Sequence, residues 1–101
     1  MSKIGMRLPR KKIADFCKRW KVVEFSLFGS ILREDFNPDS DVDVLVTFAP
    51  DAQVSRFDMV QMQLELKVIF ARDVDLVEKA SLNNPYRRRE ILQTAQRVYA
   101  S

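Results

Sequence analysis

The sequence predicts a small α/β domain of the α+β kind, a mixed sheet of three to four strands with helices packed on one side of it. Two observations carry this. Short apolar runs at residues 22–28, 41–46 and 74–77 have strand length. The segments before, between and after them show helical spacing of apolar residues or helix-forming composition. Size sets the bound: 101 residues, 47% of them apolar and 31% charged, suit one globular core. A single domain is therefore expected over residues 1–101, with 1–8 as a frayed terminus.

In chain order, Pro9 fits the first turn of a helix. Ile13, Phe16, Cys17 and Trp20 then recur at i, i+3, i+4 and i+7, one apolar stripe with lysines and arginines opposite. Cys17 lies on the stripe and reads as a core residue rather than a reactive thiol; Trp20 is expected to close the core. Val22–Phe28 reads as a buried strand that stops at Gly29-Ser30, and a loop through Asn37-Pro38-Asp39-Ser40 leads into a second strand opening Asp41-Val42-Asp43-Val44. After a polar connection, Ser55 is placed to cap a helix, with Asp58 three residues on as a variant capping box. Residues 56–70 alternate apolar and polar side chains from Val60 to Val68, a strand signal. Their Met, Gln, Leu, Glu and Lys content, and a length of fifteen residues, decide for a helix. On it Phe57, Val60, Leu64 and Val68 form one stripe, and Met59, Met62, Leu66 and Ile69 a second that needs covering by more core or by another chain. Val74–Val77 is a third strand. Asn84 and Pro85 open a closing helix whose apolar face is expected to comprise Ile91, Leu92, Ala95, Val98 and Tyr99.

Composition narrows the chemistry. The chain has no histidine, which removes Ser-His and Cys-His mechanisms, and its one cysteine leaves no intramolecular disulfide and no ordinary zinc site. Carboxylates, hydroxyls or cations must do the work. No run approaches a transmembrane length and the start lacks a signal-peptide core, so a cytoplasmic setting without membrane contact is expected. A net charge of +3, from 17 basic and 14 acidic residues, is too mild to argue for nucleic-acid binding. The basic residues are nonetheless clustered, on the first helix and at Arg87-Arg88-Arg89, each cluster open to a nucleotide or nucleic-acid contact as against a solvated face or a protein interface.

The chemistry-bearing stretch runs from Phe28 to Val46. Strand alternation puts Asp41 and Asp43 on one face, roughly 6.6 Å apart along the backbone, with Val42 and Val44 directed into the core. Paired carboxylates at the mouth of an apolar strand suit hard divalent cations such as magnesium, which shares its oxygen ligands between protein carboxylates and substrate phosphates. Gly29 lets backbone approach a ligand, and Ser30, with the N–H groups of the turn after it, suits an anion. Arg33 could neutralise phosphate or pair with Glu34, Asp35 or Asp39. Asp73 and Asp75 share a face of the third strand, so parity leaves both open as a third carboxylate.

Gly-Ser, ten residues, then Asp-x-Asp, set between two apolar strands and followed by Asp73-Val74-Asp75-Leu76-Val77, resembles the signature of the polymerase-beta-like nucleotidyltransferases, in particular their single-domain minimal nucleotidyltransferase group. The resemblance covers most of residues 13–99; Glu34 stands where the family often has glycine. It implies that Asp41 and Asp43 bind two magnesium ions and that Asp75 is the third carboxylate, at the attacking hydroxyl. It also implies that Gly29 and Ser30, with Arg33 beside them, hold the phosphates of ATP. Members of the group are typically encoded beside a HEPN-domain protein, often an RNase toxin. The resemblance therefore implies an antitoxin that transfers AMP to a tyrosine of that partner. Two alternatives stand beside it: a non-catalytic antitoxin that masks its partner through the Met59/Met62/Leu66/Ile69 stripe, and a small-molecule nucleotidyltransferase. A homo-oligomer is compatible with the same stripe.

Overall fold

The computed structural model describes residues 8–32 and 39–101. Helix α1 (Arg10–Trp20) turns into strand β1 (Val22–Phe28), which ends in a 3-10 turn (Gly29–Leu32). Strand β2 (Val42–Phe48), helix α2 (Arg56–Phe70) and strand β3 (Val74–Glu78) follow as a parallel crossover unit. A short 3-10 turn (Lys79–Ser81), helix α3 (Pro85–Thr94) and strand β4 (Gln96–Ala100) complete the chain. The sheet order is β3-β2-β1-β4, with β1 antiparallel to both of its neighbours and β2 parallel to β3. The α+β fold with a small mixed sheet is thus the one expected. Among the described residues no helix is long and apolar enough to cross a membrane.

Local chemistry explains the element ends. Ser55 accepts from Asp58 N at 3.1 Å while Asp58 Oδ2 accepts from Ser55 N at 3.0 Å, the reciprocal capping box expected for α2. Asn84 Oδ1 accepts from the N–H groups of Tyr86 and Arg87 and starts α3, with Pro85 in its first turn. Helices α1 and α2 end on Lys21 and Ala71 in the left-handed region, at φ 57° and 56°.

The core lies mainly on one side of the sheet. Ile13, Phe16 and Cys17 of α1 and Met62, Leu66 and Phe70 of α2 pack on the side of the sheet formed by Val42, Val44, Val46, Phe25 and Leu27. Phe16 and Phe25 meet edge to face, ring centroids 6.1 Å apart. The other side carries a smaller cluster, Phe28, Leu45 and Ile91 with Val77, Leu82 and Ala95 against it. Helices therefore pack on both sides, α1 and α2 on one and α3 on the other, because Phe28 and Leu45 offer α3 an apolar seat there.

Two further expectations are corrected. The closing helix stops at Thr94, and Val98 and Tyr99 lie on β4, paired with β1 from Glu24↔Ala100 to Leu27↔Gln96. A valine and a tyrosine suit a strand, and the second edge of β1 needs a partner for its backbone groups. On α2 the second stripe is covered by the core, one of the two alternatives expected for it, and it is the first stripe that is left outside. Met62 and Leu66 are buried, with Met59 and Ile69 packed against the core, whereas Phe57, Val60, Leu64 and Val68 are exposed. Phe70 decides this: it prolongs the Met62–Leu66 row by one turn, so that row buries the longer apolar surface. Masking a partner through Met62 and Leu66 is therefore ruled out by their burial.

Candidate active site

The site is built where β1 ends. Gly29 adopts φ +72°, a conformation that only glycine takes without strain. The β1–β2 register puts Phe28 opposite Asp43, so the turn passes directly under that carboxylate. A Cβ added to Gly29 would overlap Asp43 Oδ2 and lie 3.0 Å from Asp43 Cγ. Glycine is needed here twice over, for backbone conformation and for room.

Alternation along β2 sends Val42, Val44 and Val46 into the main core and Asp43, like Leu45, to the α3 side of the sheet. Parallel pairing then places Asp75 of β3 opposite Asp43, one strand spacing away, about 4.8 Å. Asp43 is half-buried and Asp75 exposed. Asp41, just before β2, is exposed at the sheet's mouth, where Val42 N donates to Asp73 O at 2.9 Å. It shares a cavity of about 400 Å³ with Asp39, Ser40, Lys67, Ala71, Arg72 and Asp73. Asp73 pairs with Lys67 at 3.3 Å. Register separates the two residues: Asp75 is paired with Asp43, whereas Asp73 lines the cavity that holds Asp41. Ser30 lies in the 3-10 turn beside Gly29, and Arg33 lies outside the described residues.

The sequence raised the Arg87–Arg89 cluster as a nucleotide contact but not the rest of what α3 contributes. Arg87, Glu90, Ile91 and Thr94, one stripe at i, i+3, i+4 and i+7, line a cavity of about 420 Å³ with Phe28, Gly29 and Leu32. Its lining is mixed: Phe28, Leu32 and Ile91 are apolar, and Arg87, Glu90 and Thr94 supply polar groups from α3. The arginine cluster was visible in sequence, but not which member turns toward Gly29. Arg88 is turned elsewhere, donating to Lys79 O at 3.2 Å.

Among the described residues, no three acidic side chains stand close enough to enclose a metal ion by themselves. Magnesium does not require that, since it is ordinarily held by one or two carboxylates and completed by water and substrate phosphates. The Asp43–Asp75 pair, with Asp41 at the mouth, fits it in donor chemistry. Two other residues weighed earlier stand apart from the site. Cys17 is fully buried in the core, and burial pushes its thiol up from 9.0 to about 12, so it is not a nucleophile. Trp20 donates from Nε1 to Glu65 Oε2 at 2.9 Å on the α1–α2 side.

A glycine turn under one carboxylate, a second carboxylate across the strand pair and a roomy cleft alongside are an arrangement suited to a phosphate-transferring domain. The nucleotidyltransferase domain model matches residues 10–98, and the chain belongs to that family, as one of its minimal nucleotidyltransferases, an enzyme of nucleotidyl transfer. It is 36% identical over 67 residues to the protein adenylyltransferase MntA of Thermococcus cleftensis, covering 66% of each chain. A solved structure described as a candidate minimal nucleotidyltransferase superposes with a TM-score of 0.70 at 30% identity, over 86% of each chain. A toxin–antitoxin structure with AMP-PNP reaches a TM-score of 0.76 at 21% identity, over 93% of this chain and 75% of the other, and shows the shared fold.

Proposed function

We propose that this nucleotidyltransferase transfers AMP from ATP to a hydroxyl, in particular a tyrosine, of a HEPN-type partner toxin in the cytoplasm, and so acts as its antitoxin. The observation that carries the reading is the placement of Asp43, seated on Gly29 and opposite Asp75 on the α3 side of the sheet, with Gly29 also lining the cleft that Arg87 lines. The protein adenylyltransferase name of the Thermococcus relative, and the AMP-PNP in the toxin–antitoxin neighbour, support the nucleotide and the kind of acceptor.

The reaction joins the acceptor oxygen to the α-phosphorus and breaks the bond to the bridging oxygen, releasing pyrophosphate; the hydroxyl proton leaves to a base. Gly29 brings backbone N–H groups of the turn, and Ser30 with them, to the β- and γ-phosphates. Arg87 offers a guanidinium to the same anionic chain. Apolar Phe28, Leu32 and Ile91 suit the nucleoside end. In this reading Asp75, across the strand pair from Asp43, accepts the proton. Asp41, Asp43 and Asp75 would hold magnesium, which when bound neutralises charge on the phosphate oxygens. Positioning and charge neutralisation are what such a transfer needs from a protein.

The test combines purified chain, the product of the neighbouring gene, magnesium and ATP, read by intact mass and peptide mapping of the partner. One or more AMP units on a tyrosine are expected. A stable complex that gains no mass refutes adenylylation, and nucleotidylation of a small hydroxyl compound without any protein acceptor refutes the choice of substrate.

A further inference from the structure

Asp41 stands one residue outside β2 and is exposed, yet a carboxylate that serves a metal must be held in a narrow range of directions. The two peptide units that flank its Cα are both held from one place, the junction of α2 and β3. On one side Val42 N donates to Asp73 O at 2.9 Å. On the other, Arg72 Nη1 donates to Ser40 O at 3.4 Å, a long bond from a charged donor. The planes of these two peptide units set φ and ψ of Asp41, and with them the direction of its Cα–Cβ bond. The first bond is backbone to backbone, whereas the second depends on a side chain. Ala71, at φ 56°, ends α2, and Arg72 after it lines the cavity that Ser40 and Asp41 also line. Arg72 is half-buried and its Nε is shielded from solvent, which restrains the guanidinium. Lys67, the other cation of that cavity, is paired with Asp73 at 3.3 Å. Three residues beyond Arg72, on β3, comes Asp75, so one junction sets the place of both carboxylates.

We infer, on the proposed function's assignment of Asp41 to magnesium, that Arg72 is a positioning residue of the transfer: by holding Ser40 O it fixes the direction of Asp41. A guanidinium has no lone pair to give a metal, so Arg72 acts through the carboxylate and not as a ligand. Nor does it line the cleft of Gly29 and Arg87, where the nucleotide is placed. Without Arg72 the peptide unit between residues 40 and 41 gains freedom, and Asp41 spends less of its time in the productive direction. The loss therefore falls on metal affinity and on the rate at saturating ATP, and not on the binding of ATP through α3. A lysine reaches toward the same carbonyl with a single flexible ammonium and restores part of the restraint.

The test is binding of Mn²⁺ to the full chain with α,β-methylene-ATP, which cannot release pyrophosphate. It is read from the paramagnetic resonance signal of free Mn²⁺, with circular dichroism as a folding control. Arg72→Met is expected to weaken Mn²⁺ binding ~10-fold with an unchanged spectrum, and Arg72→Lys to recover part of the loss. Arg72→Gln, shorter and uncharged, is expected to match Arg72→Met and keeps the test open if that variant does not fold. In the Asp41→Asn background the same change at Arg72 should have no further effect, because the two residues act as one unit. In transfer to the partner, kcat should fall ~10- to 100-fold while KM for ATP stays within about twofold. Wild-type Mn²⁺ affinity in a folded Arg72→Met protein overturns the inference. So does a loss of equal size in the Asp41→Asn background, or a raised KM for ATP at unchanged kcat, which would make Arg72 a nucleotide contact. A wild type that binds no Mn²⁺ with the nucleotide overturns it together with the metal role of Asp41. Mn²⁺ binding that depends on Arg72 in a protein that leaves the partner unmodified refutes the adenylylation of that partner and leaves the positioning role standing.

Discussion

Replacing Gly29 by alanine probes the site at its tightest point. The residue sits at φ +72°, and the new methyl would overlap Asp43 Oδ2 and crowd Asp43 Cγ at 3.0 Å. The backbone conformation alone costs a non-glycine residue about 1–2 kcal/mol. Relieving the overlap requires Asp43 to rotate or β1 and β2 to shift, which adds about 1 kcal/mol or more. A total near 2–3 kcal/mol corresponds to a fall in Tm of roughly 8–24 °C for a domain of this size. Function should suffer beyond stability, because a reacting group displaced by about 1 Å can lose ~100-fold in rate. Urea unfolding gives the first quantity, and single-turnover transfer from α-labelled ATP at a temperature where the variant remains folded gives the second. A cycle with Asp43→Ala separates the causes, since without Oδ2 and Cγ only the backbone penalty persists. Coupling of about 1 kcal/mol or more between the two substitutions is expected. A Gly29→Ala protein with wild-type stability and rate, or additive energies in the cycle, would refute the claim that this turn is fitted to Asp43.

Three further substitutions test other parts of the account. Arg87→Ala should raise KM for ATP about 10-fold or more, while Arg89→Ala, outside the lining of that cleft, should leave it unchanged; equal effects in steady-state kinetics would dismiss the specific role of Arg87. Ala71→Gly should stabilise the fold by about 0.5–1 kcal/mol, because Ala71 closes α2 at φ 56° where glycine is unstrained, and a lowered urea midpoint would contradict this. Cys17 is held protonated in the fold, its thiol raised from 9.0 to about 12 by burial. Its stabilising contribution is therefore complete below pH 9 and lost as pH rises toward 12, by at most about 1.4 kcal/mol per pH unit. The stability difference between wild type and Cys17→Val should shift by that slope above pH 9; parallel curves would show that the thiol does not ionise on unfolding.

Legibility followed the range of the physics. Features fixed within a few residues read correctly: the stripe of α1, the Ser55–Asp58 capping box, the Asn84-Pro85 start of α3 and the strand before Gly29. Features set by long-range packing did not. Either stripe of α2 could have faced inward, and the addition of Phe70 to one of them decided the rotation. Val98 and Tyr99 matched a helix face as well as a strand, and the open edge of β1, which no local window shows, took them as β4. At the site, parity gave the shared face of Asp73 and Asp75, but only the register of β3 against β2 distinguishes them. Arg87 was visible as charge, and its approach to Gly29 depends on α3 folding back over the Phe28–Leu45 side.

The central claim is that Asp43 and Asp75, facing each other across β2 and β3, carry out the transfer. Single-turnover transfer of AMP to the partner should be measured for wild type, Asp43→Asn and Asp75→Asn, with complex formation followed in parallel. The account predicts intact complexes and a loss of rate of at least ~1000-fold in each variant. Near-wild-type transfer by Asp75→Asn with an intact complex would contradict it and return Asp73 to consideration.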